Sequence, residues 1–560
     1  MPDVTWIEAV FGRIAIPLAL LVNPFLLARC TAPVADRERL PLVVALWALV
    51  LQPTAALLFH FMEIPIAALQ LIGFHCVVAV VGSVALRIAK RSLFPASGVW
   101  PLGQLWIFLL LAIFVFPFTH LGGIDAYKWG DLATSVAIER NVPWLAHPLS
   151  LLGFTPRSYP SLHPLLMGAI RALGATSLDA AFYLASLVMC GVGVTGAAYL
   201  AERLGLQKRE ALLYAAFYVL TPVFMRYVHW GTGRGAFLAV LPVFVAALVD
   251  LPRLRAWPLM LFSGLLLVLS HKTGLICVPV LLLVRVAALL YPRRHPMLCL
   301  SLLVLSFAAS VVFAPARYIG VPVGLLAGWL RYDLARFAWM SPALVLAALT
   351  APRDLFRPSE SGFMWLVLLV TFPVAHHMEM YPAMLALPFI VYAGAMALRV
   401  LSQHLPGTPQ HYIRAALLLS LLGALAIVLQ RSIEAMPHRV YLAARHIEKI
   451  DPYGPFEVIS PWRSRIQGLV TGCPRFTVKR DKDAQVVIGK PPALTLNNPH
   501  RFVTEWAGYV RGMLLTGTTA DWYGSPQTRY HVLPVADSPP EDTTLIYNHC
   551  GIAIYREQRQ

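Results

Sequence analysis

Charged residues make up only 13% of this 560-residue chain, whereas hydrophobic residues make up 58% and the mean hydropathy is +0.66. A soluble protein of this length could not bury so much apolar surface, and so few charges could not cover its exterior. An ordinary soluble globular protein is therefore excluded. Apolar runs of about 20 residues, each long enough to cross a bilayer, recur along the chain instead.

The charges that are present are mostly positive, with 45 Lys+Arg against 28 Asp+Glu. Of the excess of 17, the polar tail 431–560 holds only four, since it contains 16 Lys+Arg and 12 Asp+Glu. The remainder sits mainly in short loops between apolar runs, which is the positive-inside pattern of membrane proteins. This distribution indicates contact with membrane lipids and argues against a nucleic-acid partner.

We predict a mainly α-helical fold, a polytopic membrane bundle of about 14 spans in residues 1–430. Because the first apolar stretch, 14–27, has no basic segment before it, we expect a membrane helix there rather than a cleaved signal peptide. The spans are predicted at 6–28, 40–59, 64–86, 102–119, 178–200, 210–225, 235–251, 257–270, 274–291, 297–315, 338–351, 361–375, 383–398 and 413–430.

Orientation follows from the positions of Lys and Arg. With the N-terminus outside, seven short inside loops carry 17 positive residues. The longest polar gap, 120–161, then faces outside, and so does the C-terminal tail. We therefore predict a multi-pass protein of the inner or plasma membrane with an extracytoplasmic C-terminal domain.

Additional elements are predicted at the outer face and in the tail. The spacing of Trp129, Leu132 and Val136 favours an amphipathic helix at 126–140 that lies on the membrane, and short juxtamembrane helices are expected at 162–175 and 320–336. Residues 431–560 change abruptly in composition and predict a small α/β domain. Its strands are expected at 456–459, 476–478, 486–488, 544–547 and 551–555, and its helices at 434–450 and 500–515.

The chain has few cysteines and no CxxC pair, which argues against a zinc site of the usual spacing. Five of the seven lie in or beside apolar runs, where they serve as small hydrophobic residues. Cys473 and Cys550 are the only two in the tail. In an oxidising compartment they are candidates for a disulfide, and the alternative is two free buried thiols.

Polar residues collect near the predicted outer ends of the spans. Ionisable groups against a bilayer are costly and are functional candidates for that reason. Acids and imidazoles suit proton removal from an acceptor hydroxyl, and cations suit a leaving phosphate. The candidates are Asp125, Asp131, Tyr159, His163, Arg226, His229, Arg234, His271, Lys272, Arg317, His376, His377 and Glu379.

The order of these features resembles the GT-C superfamily of membrane glycosyltransferases. A span leads into an outer loop with an acid, at Gly122-Gly123-Ile124-Asp125, and a Tyr-Pro-x-x-His-Pro turn follows at 159–164. The segment 220–231 resembles the second outer-loop entry of such enzymes, and 380–388 resembles their late span. The match covers roughly 100–430 in layout, and a soluble outer C-terminal domain is common in the family.

The resemblance implies inverting transfer of a sugar from a polyprenyl-phosphate donor to a glycan, lipid or protein acceptor on the extracytoplasmic face. Asp125 matches the loop acid and is the expected general base. Many members carry a second acid where this chain has 229–234, and a late Arg where it has Met380. The donor phosphate would then fall to Arg234, Lys272 or Arg317. A divalent metal is not indicated by the residues.

Each candidate also has a purely structural interpretation. Asp125 could cap the helix that follows, since Asp is favoured at the N-cap, and Asp131 is expected on a solvated helix face. His163 could be a packed turn residue. Lys272 could extend along apolar surface to reach the headgroups, and Arg234 could anchor a span end there.

The cluster His376, His377 and Glu379 has two functional interpretations, a metal site or a substrate contact. Two other functions remain open for the chain as a whole. An O-antigen ligase or polymerase also uses outer Arg and His, but its polar centre lies in a large late loop. A transporter or flippase predicts an internal repeat, and none is evident here.

Overall fold

The computed structural model describes residues 6–31, 39–89, 102–115, 124–142, 151, 160–174, 176–292, 295–312, 357, 359–377, 381–404, 411, 415, 418–419, 422–423, 437–450, 456–462, 466, 476–479, 519–522, 528–549 and 551–558. Within them the chain is mainly helical, with a small sheet near the C-terminus. The helices are α1 (Trp6–Pro17), α2 (Asn23–Thr31), α3 (Leu40–Phe61), α4 (Ala68–Ile88), α5 (Leu102–Val115), α6 (Ile124–Glu139), α7 (Leu162–Gly174), α8 (Leu178–Arg203), α9 (Lys208–Val219), α10 (Pro222–His229), α11 (Gly233–Val249), α12 (Trp257–Ser270), α13 (Thr273–Leu290), α14 (His295–Val312), α15 (Glu360–His377), α16 (Tyr381–His404) and α17 (His438–Ile450).

Five helical segments of the described chain are long and apolar enough to cross a membrane. They are Val10–Thr31, in which a π-helical turn at Leu18–Val22 joins α1 to α2, and helices α3, α4, α8 and α13. The bent pair α9 and α10, with a 54° angle, makes a sixth if it is one span. The prediction of a helical membrane protein is thus supported, whereas the count of about 14 spans is not confirmed.

Most of the predicted spans coincide with helices, although several are shorter than a bilayer is thick. The prediction at 338–351 lies outside the described residues, and so does most of that at 413–430. Helices α11 and α12 illustrate the shorter class, and α11 is buried along its whole length. It packs between α8 and α12, where lipid does not reach it.

The two helices predicted at the outer surface are present but are covered by protein. Trp129, Leu132 and Val136 of α6 are all buried, because α6 packs on α7. Every residue of α7 is buried in turn, against α1, α3, α6 and α8. The periodic apolar face of α6 therefore contacts a neighbouring helix, which corrects the expectation that it rests on lipid. The helix predicted at 320–336 lies outside the described residues.

Residues predicted in different inside loops meet at one end of the bundle. Asp250, which follows α11, pairs with Arg253 at 2.9 Å, Arg203 at 3.4 Å and Arg39 at 3.9 Å. The buried Arg285 of α13 donates to the carbonyls of Leu248 and Val249, each at 3.2 Å. Cations at a helix C-terminus satisfy its unpaired carbonyls and favour its negative pole. These contacts fix the C-terminal end of α11 against α8 and α13.

A buried polar cluster joins the first three apolar segments. The Asn23 amide of α2 donates to the His75 carbonyl at 2.9 Å and lies 3.1 Å from Nδ1 of the His75 ring in α4. The amide of Gln52 in α3 lies 2.8 Å from Nε2 of the same ring. Polar side chains that pair across helices hold membrane helices in a fixed register. His75 therefore connects α4 to both α2 and α3.

The C-terminal region forms a four-stranded sheet of order β1–β4–β6–β5. Strands β1 (Phe456–Ile459) and β4 (Thr528–Pro534) pair in parallel, and β6 (Ile552–Gln558) pairs antiparallel with β4 and β5 (Thr544–His549). Strands β2 (Phe476–Lys479) and β3 (Thr519–Trp522) form a separate antiparallel pair. Helix α17 packs on β5 and β6, as an α/β domain requires.

Several strand predictions are confirmed by β1, β2, β5 and β6, and the helix predicted at 434–450 is confirmed by α17. Strands β3 and β4 were not predicted. β4 ends in Pro534 and β3 contains Asp521, both of which weaken a strand signal. The predictions at 486–488 and 500–515 lie outside the described residues, and so do Cys473 and Cys550 with their candidate disulfide.

The C-terminal domain is attached to the bundle at the start of α8. Arg445 of α17 pairs with the buried Asp179, and the Tyr441 hydroxyl donates to the same carboxylate oxygen at 2.9 Å. Nε of Arg445 in turn donates to the Tyr441 hydroxyl at 2.9 Å. We call Arg39, Arg203 and Arg253, which surround Asp250, the arginine cluster. Because α8 ends at Arg203, the attachment of α17 is at the opposite end of α8 from this cluster.

We predict that Asp179→Asn destabilises the protein by roughly 1–3 kcal/mol, because it removes the charge from a buried carboxylate with two donors. Thermal unfolding in detergent should show a lower midpoint. Asp537→Asn is the matched control, since Asp537 is exposed in the turn after β4. Equal midpoints for the two variants would contradict a stabilising role for the Asp179 pair.

Candidate functional site

Four helix ends lie at the end of the bundle opposite the arginine cluster: the starts of α7, α11 and α13 and the end of α12. Gly233, the first residue of α11, allows the closest approach among them. A Cβ added there would lie 2.1 Å from the Ser270 carbonyl oxygen and 2.5 Å from the Trp129 ring. No side chain fits in that space, so the start of α11 can approach α12 and α6 this closely only with glycine. Gly231, with φ of 56°, makes the preceding turn.

His163 lies in the first turn of α7, beside Trp129. The two rings meet edge to face, with 6.0 Å between their centroids and an 82° angle. The His163 side chain is fully buried, and neither ring nitrogen has a hydrogen-bond partner in the described part of the chain. Burial lowers the pKa of His163 from 6.5 to about 3, so the ring is neutral at pH 7. A buried, neutral and unpartnered imidazole is a strong candidate for contact with a ligand.

His271 occupies the turn between α12 and α13. Its Nδ1 accepts from the backbone N–H of Thr273 at 3.2 Å and lies 2.8 Å from the Thr273 hydroxyl. That pairing places the proton of the neutral ring on Nε2. Burial, together with the positive charges of Arg234 and Lys272, lowers the pKa of His271 from 6.5 to about 3. The ring therefore lies close to both cations and does not add a third charge.

Arg234 follows Gly233 and is buried, with its guanidinium over the Tyr227 ring at 5.6 Å. Lys272 is exposed next to His271. Both cations lie at helix N-termini, those of α11 and α13, whose unpaired N–H groups are themselves partly positive. Together these groups form a positive region suited to a phosphate.

His229 ends α10 and is buried against Phe182 of α8, at 6.4 Å between ring centroids. His229 therefore lies at the same end of the bundle as His163, which is in α7. Arg226, one turn earlier, lies over Trp230 at 4.7 Å and is exposed. Both residues add polar groups around the turn that leads to Gly233.

Asp125 lies in the first turn of α6, since the helix begins at Ile124. The helix therefore starts before Asp125, which does not occupy the predicted N-cap position. Trp129 follows one turn later and marks where this part of α6 meets Gly233 and His163. Asp131 is also within α6. The side chains of both acids lie outside the described residues.

The remaining site predictions lie outside the part of the chain that the structure describes. Tyr159, Arg317 and Glu379 are among them. His376 and His377 end helix α15, but their side chains are not described. Among the described residues, no group of three His, Cys, Asp or Glu could hold a metal ion. The metal interpretation of 376–379 is therefore neither supported nor tested.

Two residues of this region were missed by sequence reasoning. Trp129 was predicted only as part of the apolar face of a helix lying on the membrane, although its buried ring contacts both Gly233 and His163. Thr232 is the N-cap of α11, yet its hydroxyl makes no capping hydrogen bond and has no partner among the residues that the structure describes. No signal in the sequence distinguishes Thr232 from an ordinary N-cap threonine. For Trp129 the signal was its place on the apolar face of a helix that also carries Asp125.

Comparison with known proteins adds no family to this description. No protein-family model matches the chain. No curated protein matches it either.

We predict that Gly233→Ala disrupts the site, because its methyl group would overlap the Ser270 carbonyl and the Trp129 ring. Forced overlap of this kind costs roughly 1–3 kcal/mol or more. Thermal unfolding and gel filtration in detergent measure the effect. Gly73→Ala is the control, since nothing lies within 4 Å of the Cβ it would add. A variant at 233 as stable as the one at 73 would contradict the close contact.

The lowered pKa of His163 predicts a pH dependence of stability. Between pH 6.5 and about 3 the unfolded chain binds a proton at this residue and the folded chain does not, so stability falls as pH falls through this window. His163→Gln should make the decline shallower, by up to about 1.4 kcal/mol per pH unit. Unfolding free energies of both proteins at pH 7, 6 and 5 provide the test. If the unfolding free energies of the two proteins fall equally as pH falls, His163 gains a proton in the folded protein and the prediction is wrong.

Proposed function

We propose that this chain is a membrane glycosyltransferase that moves a sugar from a polyprenyl-phosphate donor to an acceptor on the extracytoplasmic face. The observation that carries the proposal is that Arg234 and Lys272, at the starts of α11 and α13, lie close to His271, and that Trp129 contacts both Gly233 and His163, a buried ring with no hydrogen-bond partner among the described residues. The two cations suit a phosphate, and the neutral His163 suits an uncharged polar ligand. Both lie where α6, which carries Asp125, contacts α11.

In the proposed reaction the acceptor hydroxyl oxygen attacks C1 of the donor sugar from the face opposite the phosphate. The new C1–O bond forms as the bond from C1 to the phosphate oxygen breaks, so the configuration at C1 is inverted. Asp125 takes the proton of the acceptor hydroxyl as general base. The polyprenyl phosphate leaves with both bonding electrons, and Arg234 and Lys272 stabilise its added negative charge.

The proposed site and the C-terminal domain lie at the same end of the bundle. Asp179, which holds α17, comes directly after the turn that follows α7, and His163 is at the start of α7. We infer that the C-terminal domain binds the acceptor or covers the site. Either role requires an extracytoplasmic position, and the orientation of the chain in the membrane remains the prediction made from its positive charges.

A lipid-linked-glycan transporter is the second candidate, and one observation favours it. His75 is buried within a candidate span and is paired with two amides, and ionisable residues inside spans often mark a transport pathway. The same cluster also accounts for helix packing without any transport. A transporter would move lipid-linked sugar across vesicles without cleaving it.

We predict that Asp125→Asn lowers turnover by about 10²–10⁴-fold, the usual contribution of a general base. Asp131→Asn is the matched control, since it removes an acid from the same helix and should keep most of the activity. Purified proteins in liposomes would receive a panel of polyprenyl-phosphate sugars and a membrane-extract acceptor fraction, and the release of polyprenyl phosphate would be followed.

Equal activity of the two variants would exclude Asp125 as the base. If the wild-type protein consumes no donor but moves the intact donor between the two leaflets, the transferase is rejected and the transporter is supported.

A further inference from the structure

Two buried polar side chains of the site keep their hydrogen-bonding atoms unused. They are His163, which has no exposed surface, and Thr232, which is 1% exposed; within the described part of the chain neither the ring nitrogens of His163 nor the Thr232 hydroxyl have a hydrogen-bond partner. A buried polar group without a partner costs roughly 1–3 kcal/mol. Native folds seldom accept that cost twice in one region unless a ligand supplies the missing partners.

The unused hydroxyl of Thr232 departs from what its position predicts. An N-cap threonine normally accepts a hydrogen bond from an N–H group of the first helical turn. In α11 the cap is satisfied differently, because the backbone N–H of Gly235 donates to the Thr232 carbonyl at 2.9 Å. The side chain makes no capping bond and stays available.

Trp129 connects the two unpartnered groups. Its ring contacts the His163 ring and also closely approaches Gly233, the residue after Thr232. His163 and the residue next to Thr232 therefore contact the same indole, although they belong to different helices. Aromatic rings flanked by hydrogen-bonding side chains suit a ligand with both apolar and hydroxyl surfaces.

The hydrogen-bonding capacity of these groups differs from that of the cations. A neutral imidazole offers one donor and one acceptor, and a hydroxyl offers a donor and acceptors. Their natural complement is another hydroxyl, which both donates and accepts. Arg234 and Lys272 only donate, and their complement is an acceptor such as phosphate. The site therefore divides into two parts of different chemistry.

We propose that His163 and Thr232, beside Trp129, form a subsite that binds hydroxyl groups of the transferred sugar, next to the cationic subsite of Arg234 and Lys272 for the phosphate. This assignment rests on the proposed function, in which the donor is a lipid-linked sugar. It names Thr232 as a residue that determines which sugar is accepted.

The experiment compares deoxy sugars. The best donor from the polyprenyl-phosphate panel and its analogues lacking single hydroxyls would be tested with wild type, Thr232→Val, Thr232→Ser and His163→Gln. Bare polyprenyl phosphate would be tested as a competing ligand. The control is Thr195→Val, which removes a buried hydroxyl of α8 that donates to its own helix at 2.8 Å.

We expect Thr232→Val to lower kcat/KM for the full sugar roughly tenfold, the worth of one hydrogen bond. For one particular deoxy analogue the same substitution should have little further effect, because that analogue already lacks the partner. Thr232→Ser should restore most of the activity. Inhibition by bare polyprenyl phosphate should be unchanged in the Thr232 and His163 variants and weakened in Arg234→Ala.

Three outcomes would overturn the subsite. In the first, Thr232→Val affects every analogue equally, as a merely structural threonine would. In the second, it weakens bare polyprenyl phosphate as much as the sugar donor. Either result, with an active wild-type protein, rejects the subsite and leaves the transferase in place. In the third, folded wild-type protein neither consumes nor binds any donor of the panel, and then the transferase and the subsite fail together.

Discussion

The close approach of α11 to α6 and α12 is the constraint on which the candidate site depends. With no side chain at Gly233, the start of α11 meets the end of α12 and the Trp129 ring directly. Arg234, His271 and Lys272 are then neighbours in space although they come from two separate turns. The opposite end of α11 is held by Arg285 and Asp250. A helix fixed at both ends can keep charged groups in place at its start.

The distribution of charge follows the same division between the two ends. Near Asp250 the arginines are paired with a carboxylate and with carbonyl groups, so most of their charge is compensated within the protein. At the other end Arg234 and Lys272 lie close to the neutral His271 and at the N-termini of α11 and α13. Positive charge at the first end stabilises the fold, whereas at the second end it suits an anionic ligand.

How far the sequence predicts this arrangement depends on the type of signal. Long apolar runs and the period of Trp129, Leu132 and Val136 predicted α3, α8 and α6, because those patterns are local. Strand β4 was missed, since its place between β1 and β6 supplies a stability that its own residues do not reveal. The same limit applies to the site.

Polar residues near span ends were recognisable from the sequence, and His163 was one of the candidates among them. The unused hydroxyl of Thr232 was not, because it depends on how Gly235 bonds in the folded chain. The contact between Trp129 and Gly233 joins residues about a hundred positions apart, and no local pattern encodes it. The role of Asp125 as general base stays a prediction. The structure adds only that Asp125 lies in the first turn of α6.

The link between Asp179 and Arg445 gives the C-terminal domain a mechanical connection to the membrane bundle. Through this pair, a displacement of α17 acts on the first turn of α8. A short turn joins that end of α8 to the end of α7. Because every residue of α7 is buried against neighbouring helices, α7 transmits displacement rather than absorbing it. Any molecule that shifts the C-terminal domain therefore exerts force on the helix that carries His163.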